Sequence, residues 1–118
     1  MQALYVAAGG ACGATCRFLL SYLPVTDRGL PLSTFLANVI GCFLIGIIAM
    51  KGEAWGWDAN LLLFLKTGFC GGLTTFSTFS AETMAMAQKG HMTTALFYVV
   101  ATVAAGFIAL YLGGQMVK

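Results

Sequence analysis

The stretch GFCGGLTTFSTFSAE, residues 68–82, decides how this chain folds, because it is polar in the middle of a long apolar segment. It combines two adjacent glycines, two phenylalanines three positions apart and a cluster of hydroxyl side chains. The hydroxyls belong to Thr74, Thr75, Ser77, Thr78 and Ser80. In a bilayer such groups are tolerated only where they are buried in protein or line a wet cavity. A cluster of this density favours a permeation path or a binding site over a single interhelical hydrogen bond.

The composition of the whole chain indicates an integral membrane protein. Of its 118 residues, 59% are hydrophobic and 8% are charged, against roughly a quarter charged in a soluble domain. The mean hydropathy is +0.88, and a water-soluble domain of this size has too little interior to bury that much apolar surface. A net charge of +2 without a basic cluster gives no indication of nucleic acid binding.

Four apolar segments approach the ~20 residues that a helix needs to cross a bilayer. The spans predicted from the hydropathy pattern are residues 3–23, 30–50, 60–88 and 92–112. Their connections are short. We therefore expect an all-α membrane protein in which residues 1–118 form a single domain of four transmembrane helices.

The third span is too long for one straight crossing. A helix over residues 60–88 would measure about 43 Å at 1.5 Å per residue. Tilt absorbs part of such an excess, but Gly71, Gly72 and the hydroxyl cluster lie at its midpoint. We predict a break near residues 71–75, which places free carbonyls and helix ends at mid-membrane, as in discontinuous transporter helices.

Basic residues are distributed evenly between the two predicted sides of the membrane. Lys51, Lys66 and Lys118 fall on one side, and Arg17, Arg28 and Lys89 fall on the other. Lys and Arg counts normally set the orientation of a membrane protein, so this tie predicts insertion in both orientations. It also predicts an antiparallel, dual-topology homodimer.

Two polar residues of the first and second spans are candidates for ion contact. Arg17 either snorkels to the membrane surface or raises the electrostatic potential at a pore mouth. Asn38 either forms an interhelical hydrogen bond or donates to an anion that has shed water. Thr34, one turn before Asn38, extends a polar line on the same helix face.

The third and fourth spans supply the remaining candidates. Phe76 and Phe79 are either core residues or present the electropositive edge of an aromatic ring to an anion. Glu82 either pairs with a basic residue such as Lys89 or lines a polar vestibule. Tyr98 and Thr102 are spaced to align their hydroxyls with a pore.

No catalytic signature is recognisable in the sequence. It has no nucleophile with a plausible base, no metal-ligand cluster and no phosphate-binding loop after a strand. We therefore expect a protein without enzymatic activity.

Three motifs resemble, in order and spacing, the small fluoride channels called Fluc or CrcB. They are GGACGATCRF (9–18), STFLANVIGCFLIG (33–46) and GFCGGLTTFSTFSAE (68–82). The resemblance covers essentially the whole chain, and the third motif is the most specific. On the fourth helix the polar line, often continued by a Ser in the family, meets Gly106 here.

The resemblance implies a passive fluoride channel that exports fluoride across the cell (inner or plasma) membrane and protects against its toxicity. It implies an antiparallel homodimer with two pores, in which Asn38, Phe76 and Phe79 contact the anion. Other residues would line polar stretches of the path: Ser77, Thr78, Tyr98 and Thr102. Arg17 and Glu82 would lie at a vestibule, and backbone carbonyls of Gly71 and Thr74 from both subunits would hold a structural sodium ion.

Two other classes of protein share some of these features. A proton-coupled small multidrug exporter also has four spans and dual topology, but it needs an intramembrane carboxylate, and the first two spans contain neither Asp nor Glu. A structural membrane subunit leaves the hydroxyl and phenylalanine cluster unexplained.

Overall fold

The computed structural model describes residues 1–23 and 29–116, and this part of the chain is helical with no β-strand. Arg28 and Lys118, which entered the charge count, lie outside it. In chain order the helices are α1 (Gln2–Leu20), α2 (Leu32–Trp55), α3 (Ala59–Leu62), a π-helix (Leu63–Cys70), α4 (Gly71–Leu73), α5 (Phe76–Gln88) and α6 (Met92–Gln115). The segment made of α3, the π-helix and α4 is one continuous helix.

Within residues 1–23 and 29–116, three helices are long and apolar enough to cross a membrane. They are Gln2–Leu20, Leu32–Gly52 and Met92–Gln115. The segment between residues 59 and 88 is divided into shorter elements by two extended residues, Thr74 (φ −85°, ψ 153°) and Thr75 (φ −151°, ψ 124°). That this divided segment makes a further crossing belongs to the proposal below.

Two helices extend beyond the residues at which the hydropathy pattern ends. α2 continues past Met50 to Trp55, and its last turn places the Lys51 ammonium 4.4 Å from the centre of the Trp55 ring. A cation over an aromatic face is attracted by the ring quadrupole. Gly56 then ends the helix in the left-handed region at φ 61°, which glycine adopts without steric cost. α6 likewise continues past Leu112 to Gln115.

Glycines on both sides form the seam between α1 and the π-helix with α4. A Cβ added to Gly9 would overlap the carbonyl oxygen of Phe64. One added to Gly13 would overlap the carbonyl oxygen of Phe69 and lie 2.8 Å from the backbone nitrogen of Leu73. Small residues at this spacing allow helix backbones to approach closely in membrane proteins, and only glycine fits here.

The remaining helices pack as a second group in which α6 contacts both α2 and α5. Buried residues Met86, Ala95 and Tyr98 form the core between α5 and α6. The α2–α6 contact again depends on a glycine, since a Cβ on Gly46 would lie 3.0 Å from the backbone nitrogen of Gly114.

A single chain forms a thin slab. Its principal extents are 49 × 30 × 19 Å, and the shortest is about two helix diameters. Large apolar side chains, including Phe76, Phe97 and Phe107, are mostly exposed on the isolated chain. The surface is that of a protein whose apolar faces are covered by lipid or by further protein.

Candidate functional site

The interruption at residues 74 and 75 is held by local hydrogen bonds. The backbone N–H and the hydroxyl of Thr74 both donate to the Cys70 carbonyl, at 3.0 and 2.9 Å. The hydroxyl of Thr75 accepts from the backbone N–H of Thr78 at 3.2 Å and so caps the start of α5. A side-chain cap of this kind satisfies one of the free N–H groups of a helix N-terminus.

Asn38 of α2 makes two hydrogen bonds to one residue of this interruption. Its Oδ1 accepts from the backbone N–H of Thr75 at 2.8 Å, and its Nδ2 donates to the Thr75 carbonyl at 3.2 Å. The carboxamide has a second Nδ2 hydrogen, which the Thr75 contact does not use. Of the two roles considered from the sequence, the interhelical bond is present, and one donor is left for a ligand.

A groove of about 360 Å³ opens beside the interruption between α2, α5 and α6; we call it the break groove. The polar and aromatic residues that line it are Asn38, Thr74, Thr75, Phe76, Phe79 and Thr102, together with Cys42 and Gly106. The Thr102 hydroxyl is buried and has no hydrogen-bond partner in the part of the chain that the structure describes. A buried donor without a partner costs about 1–3 kcal/mol, so the Thr102 hydroxyl is a polar group beside the groove whose hydrogen-bonding capacity the described residues do not use.

The phenylalanine rings lie in contact along one side of the break groove. The centroids of Phe76 and Phe79 are 6.0 Å apart, and Phe79 lies 5.1 Å from the Tyr98 ring. Phe76 is 79% exposed, whereas Phe79 packs partly against the α5–α6 core. Phe76 is therefore the ring that is free to contact a ligand or a second protein chain without disturbing the core.

A second cavity of about 330 Å³, the Arg17 pocket, lies between α1, α2 and α5. Arg17, Thr34, Thr78 and Glu82 line it. The Nε of Arg17 donates to the Gly72 carbonyl at 3.2 Å, which ties α1 to the end of α4. Among the described residues no ion pair joins Arg17 to Glu82, so the guanidinium keeps N–H groups for an anion.

Glu82 accepts two hydrogen bonds from hydroxyl groups. Thr34 donates to one carboxylate oxygen and Tyr98 to the other, each at 3.0 Å. Glu82 lines the Arg17 pocket, and within the described residues it does not pair with Lys89; its place at a vestibule stays a prediction. Thr34 and the buried Tyr98 direct their hydroxyls to Glu82 rather than to an open path.

Nine of the twelve predicted site residues line the break groove or the Arg17 pocket, whereas Gly71, Ser77 and Tyr98 line neither. Ser77 is exposed, and its hydroxyl lies 3.3 Å from that of Thr75. Cys42 was not among the predicted site residues, yet it lines the break groove, where a Cβ on Gly106 would lie 3.4 Å from its sulfur. Its place one turn after Asn38 on the same helix is the signal that could have identified it.

Side-chain ligands for a metal ion are not clustered in the described residues, which contain no group of three or more His, Cys, Asp or Glu positioned to bind one. Backbone oxygens are available instead. The N–H of Thr75 and that of Thr78 would bond the carbonyls of Gly71 and Thr74 in a continuous α-helix. Here both N–H groups are bonded to side chains, which leaves these two carbonyls without their helical donors.

These features define a class: an all-helical membrane protein with a helix interrupted inside its polar site. The family model described as "CrcB-like protein, Camphor Resistance (CrcB)" matches residues 4–114. The chain belongs to this family, which confirms the resemblance drawn from the three motifs.

Named relatives match almost the whole chain. The protein named "Fluoride-specific ion channel FluC" from Shewanella pealeana is 40% identical over 116 residues, 97% of this chain and 94% of the relative. "Fluoride-specific ion channel FluC 2" from Rhodococcus jostii is 42% identical over 98% of both chains. The FluC protein of Methylobacillus flagellatus is 40% identical over 99% of this chain and 94% of its own. Together with the apolar helices, these matches make this chain a multi-pass membrane protein.

Proposed function

We propose that this protein is a passive, fluoride-selective channel that exports fluoride from the cytoplasm and so protects the cell against fluoride toxicity. The observation that carries the proposal is the near full-length similarity to relatives named fluoride-specific ion channels. The break groove and the Arg17 pocket supply the chemistry. The ion crosses unchanged, so the protein is a channel and not an enzyme.

The donors around the two cavities suit a small, strongly hydrated anion. Fluoride must exchange its water for other donors, and conduction requires binding that is weak enough for release. Asn38, Thr102 and Thr78 offer uncharged N–H and O–H groups, and Phe76 and Phe79 offer electropositive ring edges. Several weak contacts of this kind hold fluoride less tightly than a buried lysine would.

The path runs along α2 and α5 from one cavity to the other. Thr34 and Asn38 are one turn apart on α2, and Thr78 and Phe79 are consecutive on α5, so the Arg17 pocket and the break groove adjoin. Arg17 attracts the anion at one mouth. Glu82 is held aside by its hydrogen bonds from Thr34 and Tyr98, which limits its repulsion of the anion.

The membrane potential supplies the driving force. Fluoride enters an acidified cell as neutral HF and is trapped as the anion at cytoplasmic pH. Moving one charge through 100 mV is worth about 2.3 kcal/mol, so an interior-negative potential drives fluoride out through a passive pore of the cell inner (plasma) membrane. No proton exchange is required.

An antiparallel homodimer with four crossings per chain, the third interrupted at residues 74 and 75, forms two such pores. Three features support this assembly: the thin slab, the exposed Phe76 at an open groove and the balanced distribution of basic residues. The second copy would cover the groove and the exposed ring.

Labelling of one introduced cysteine tests this topology in cells. In a variant without native cysteines, Gln2→Cys should react from each face of the membrane in about half of the molecules. Reaction from one face only would refute the dual-topology dimer.

A structural sodium ion would lie where the freed carbonyls of Gly71 and Thr74 of two subunits meet. Gly71 is exposed, and a Cβ built there meets nothing within 4 Å, so there is room beside this residue for a second subunit. An uncharged oxygen cage suits sodium better than Mg²⁺, which dehydrates reluctantly and prefers carboxylates. When bound, the ion neutralises carbonyl dipoles and joins the two interruptions.

Replacing sodium with N-methylglucamine should lower fluoride flux or dimer stability. Movement of a sodium tracer in proportion to fluoride would contradict a structural role.

Efflux from liposomes tests the proposed function directly. Liposomes containing the protein should release fluoride, followed with a fluoride electrode, far faster than chloride and without a proton gradient. Equal release of both halides, or release only with a proton gradient, would refute the channel. Proton-coupled uptake of a cationic drug would instead support the small multidrug exporter.

A further inference from the structure

Asn38 acts on the interruption as a neighbouring strand would act on an extended residue. Thr75 has left the helix, and both of its backbone polar groups are satisfied by the one carboxamide, at 2.8 and 3.2 Å. An antiparallel strand pairs with an extended residue through the same exchange of N–H and C=O bonds. The side chain therefore supplies the hydrogen bonds that allow a non-helical residue to persist inside an apolar protein.

The consequence reaches the carbonyls on the other side of the interruption. In a continuous helix the Thr75 N–H would return to the Gly71 carbonyl. Because Asn38 accepts that N–H, the helix cannot close over Gly71, and the carbonyl stays available. The Thr78 N–H is similarly occupied by the Thr75 hydroxyl, whose position depends on the extended conformation that Asn38 stabilises.

We propose that Asn38 is a positioning residue that holds the Gly71 and Thr74 carbonyls open for a monovalent cation, so that cation affinity depends on a residue of the break groove. This inference rests on the proposed sodium site. It assigns to Asn38 a role distinct from donating to the anion, although the second Nδ2 hydrogen allows both. An anion donor alone has no effect on cation affinity, whereas a residue that holds the carbonyls open does.

The test is a sodium titration of thermal stability on the purified full-length protein, without fluoride, at constant ionic strength with N-methylglucamine. Wild type should gain stability with sodium and give a half-saturating concentration. Asn38→Ala removes both bonds to Thr75 and should raise that concentration about tenfold or more, as expected for the loss of one to two buried hydrogen bonds. Thr102→Val is the matched control, because it removes a groove hydroxyl that has no bond to the interruption, and it should keep the wild-type value.

A second variant covers the case in which Asn38→Ala does not fold. Asn38→Leu keeps the number of side-chain heavy atoms, adds no charge and removes both bonds to Thr75, so it should raise the half-saturating sodium concentration in the same direction as Asn38→Ala. Hydrogen exchange of the peptide that contains Thr75 should become faster in this variant, and sodium should protect it less than in wild type.

Three results would overturn the inference. One is an unchanged half-saturating sodium concentration in a folded Asn38 variant, and another is an equal shift in Thr102→Val. The third is a wild-type protein whose stability does not respond to sodium. All of these readouts are independent of fluoride flux, so the inference and the proposed channel function can fail separately.

Discussion

The two sides of the interruption are held in different ways, one by glycine backbone contacts and the other by side-chain hydrogen bonds. Before it, the π-helix and α4 contact α1 through glycines, with backbone against backbone, and one side chain of α1, Arg17, donates to the Gly72 carbonyl. After it, side-chain hydrogen bonds join the helices: Asn38 bonds to the backbone of Thr75, and Thr34 and Tyr98 donate to Glu82. The glycine contacts themselves include no side-chain donor, although the Gly71 carbonyl beyond them is left without its helical partner. The region after the interruption leaves hydrogen-bond donors unused, on Asn38 and Thr102, and for that reason we propose that the ion path lies there.

The glycine seam should be the more sensitive of the two regions to a single added methyl group. Gly13→Ala puts a Cβ into the Phe69 carbonyl and should destabilise the fold by about 3 kcal/mol, the upper end for overpacking. Gly10→Ala is the control, because its Cβ would meet only the Gly68 carbonyl at 3.9 Å. Both changes carry the same gain in helix propensity. Heating the two variants in detergent should leave Gly10→Ala monodisperse at temperatures that aggregate Gly13→Ala, and equal stability would show that the seam can relax.

The aromatic side of the break groove should affect flux more than folding. Phe76→Ile keeps much of the apolar volume but loses the ring edge, worth about 1 kcal/mol, and should lower fluoride flux about fivefold. Phe79→Ile should do the same with some loss of stability, because Phe79 packs against Tyr98.

Phe97→Ile on α6 is the control for this pair, since Phe97 is 62% exposed and lines neither cavity. Wild-type flux in both groove variants would make the rings packing residues. A fall in the Phe97 variant as well would assign the effect to general packing.

The smallest effect is expected at a single hydroxyl of the groove. Thr102→Val removes a buried hydroxyl without a partner, so stability should stay equal or rise by up to about 1 kcal/mol while flux falls a few-fold. Thr34→Val, which loses a bond to Glu82, should instead lower stability by about 1 kcal/mol. Thermal unfolding and liposome flux, measured on the same preparations, distinguish the effects of Thr102→Val from those of Thr34→Val. A destabilised Thr102→Val would mean that its hydroxyl has a partner within the protein.

Local signals in the sequence identified the interrupted region, whereas long-range contacts required the structure. The excess length of the third span and the glycines at its midpoint pointed to residues 71–75, and the structure has extended residues at 74 and 75. The two bonds from Asn38 to Thr75 join residues far apart in sequence. Neither composition nor periodicity specifies which backbone group an amide will face.

The same limit applies to Glu82 and to the helix ends. Its donors Thr34 and Tyr98 come from two other helices, so the sequence suggested a polar line of hydroxyls but not that two of them would converge on a carboxylate. The π-helix carries no recognisable pattern, and α2 continues past its apolar run to Trp55, where the Lys51 ammonium lies over the Trp55 ring.

The most direct test of the central claim is the zero-current potential of the wild-type protein in a planar bilayer under a fluoride gradient, with equal chloride and equal pH on both sides. If uncharged donors and ring edges form a fluoride-selective path, the potential should follow the fluoride gradient, at about 59 mV per tenfold ratio for a monovalent ion. A potential that stays near zero under the fluoride gradient, and moves only when chloride or pH is made unequal, would contradict the account.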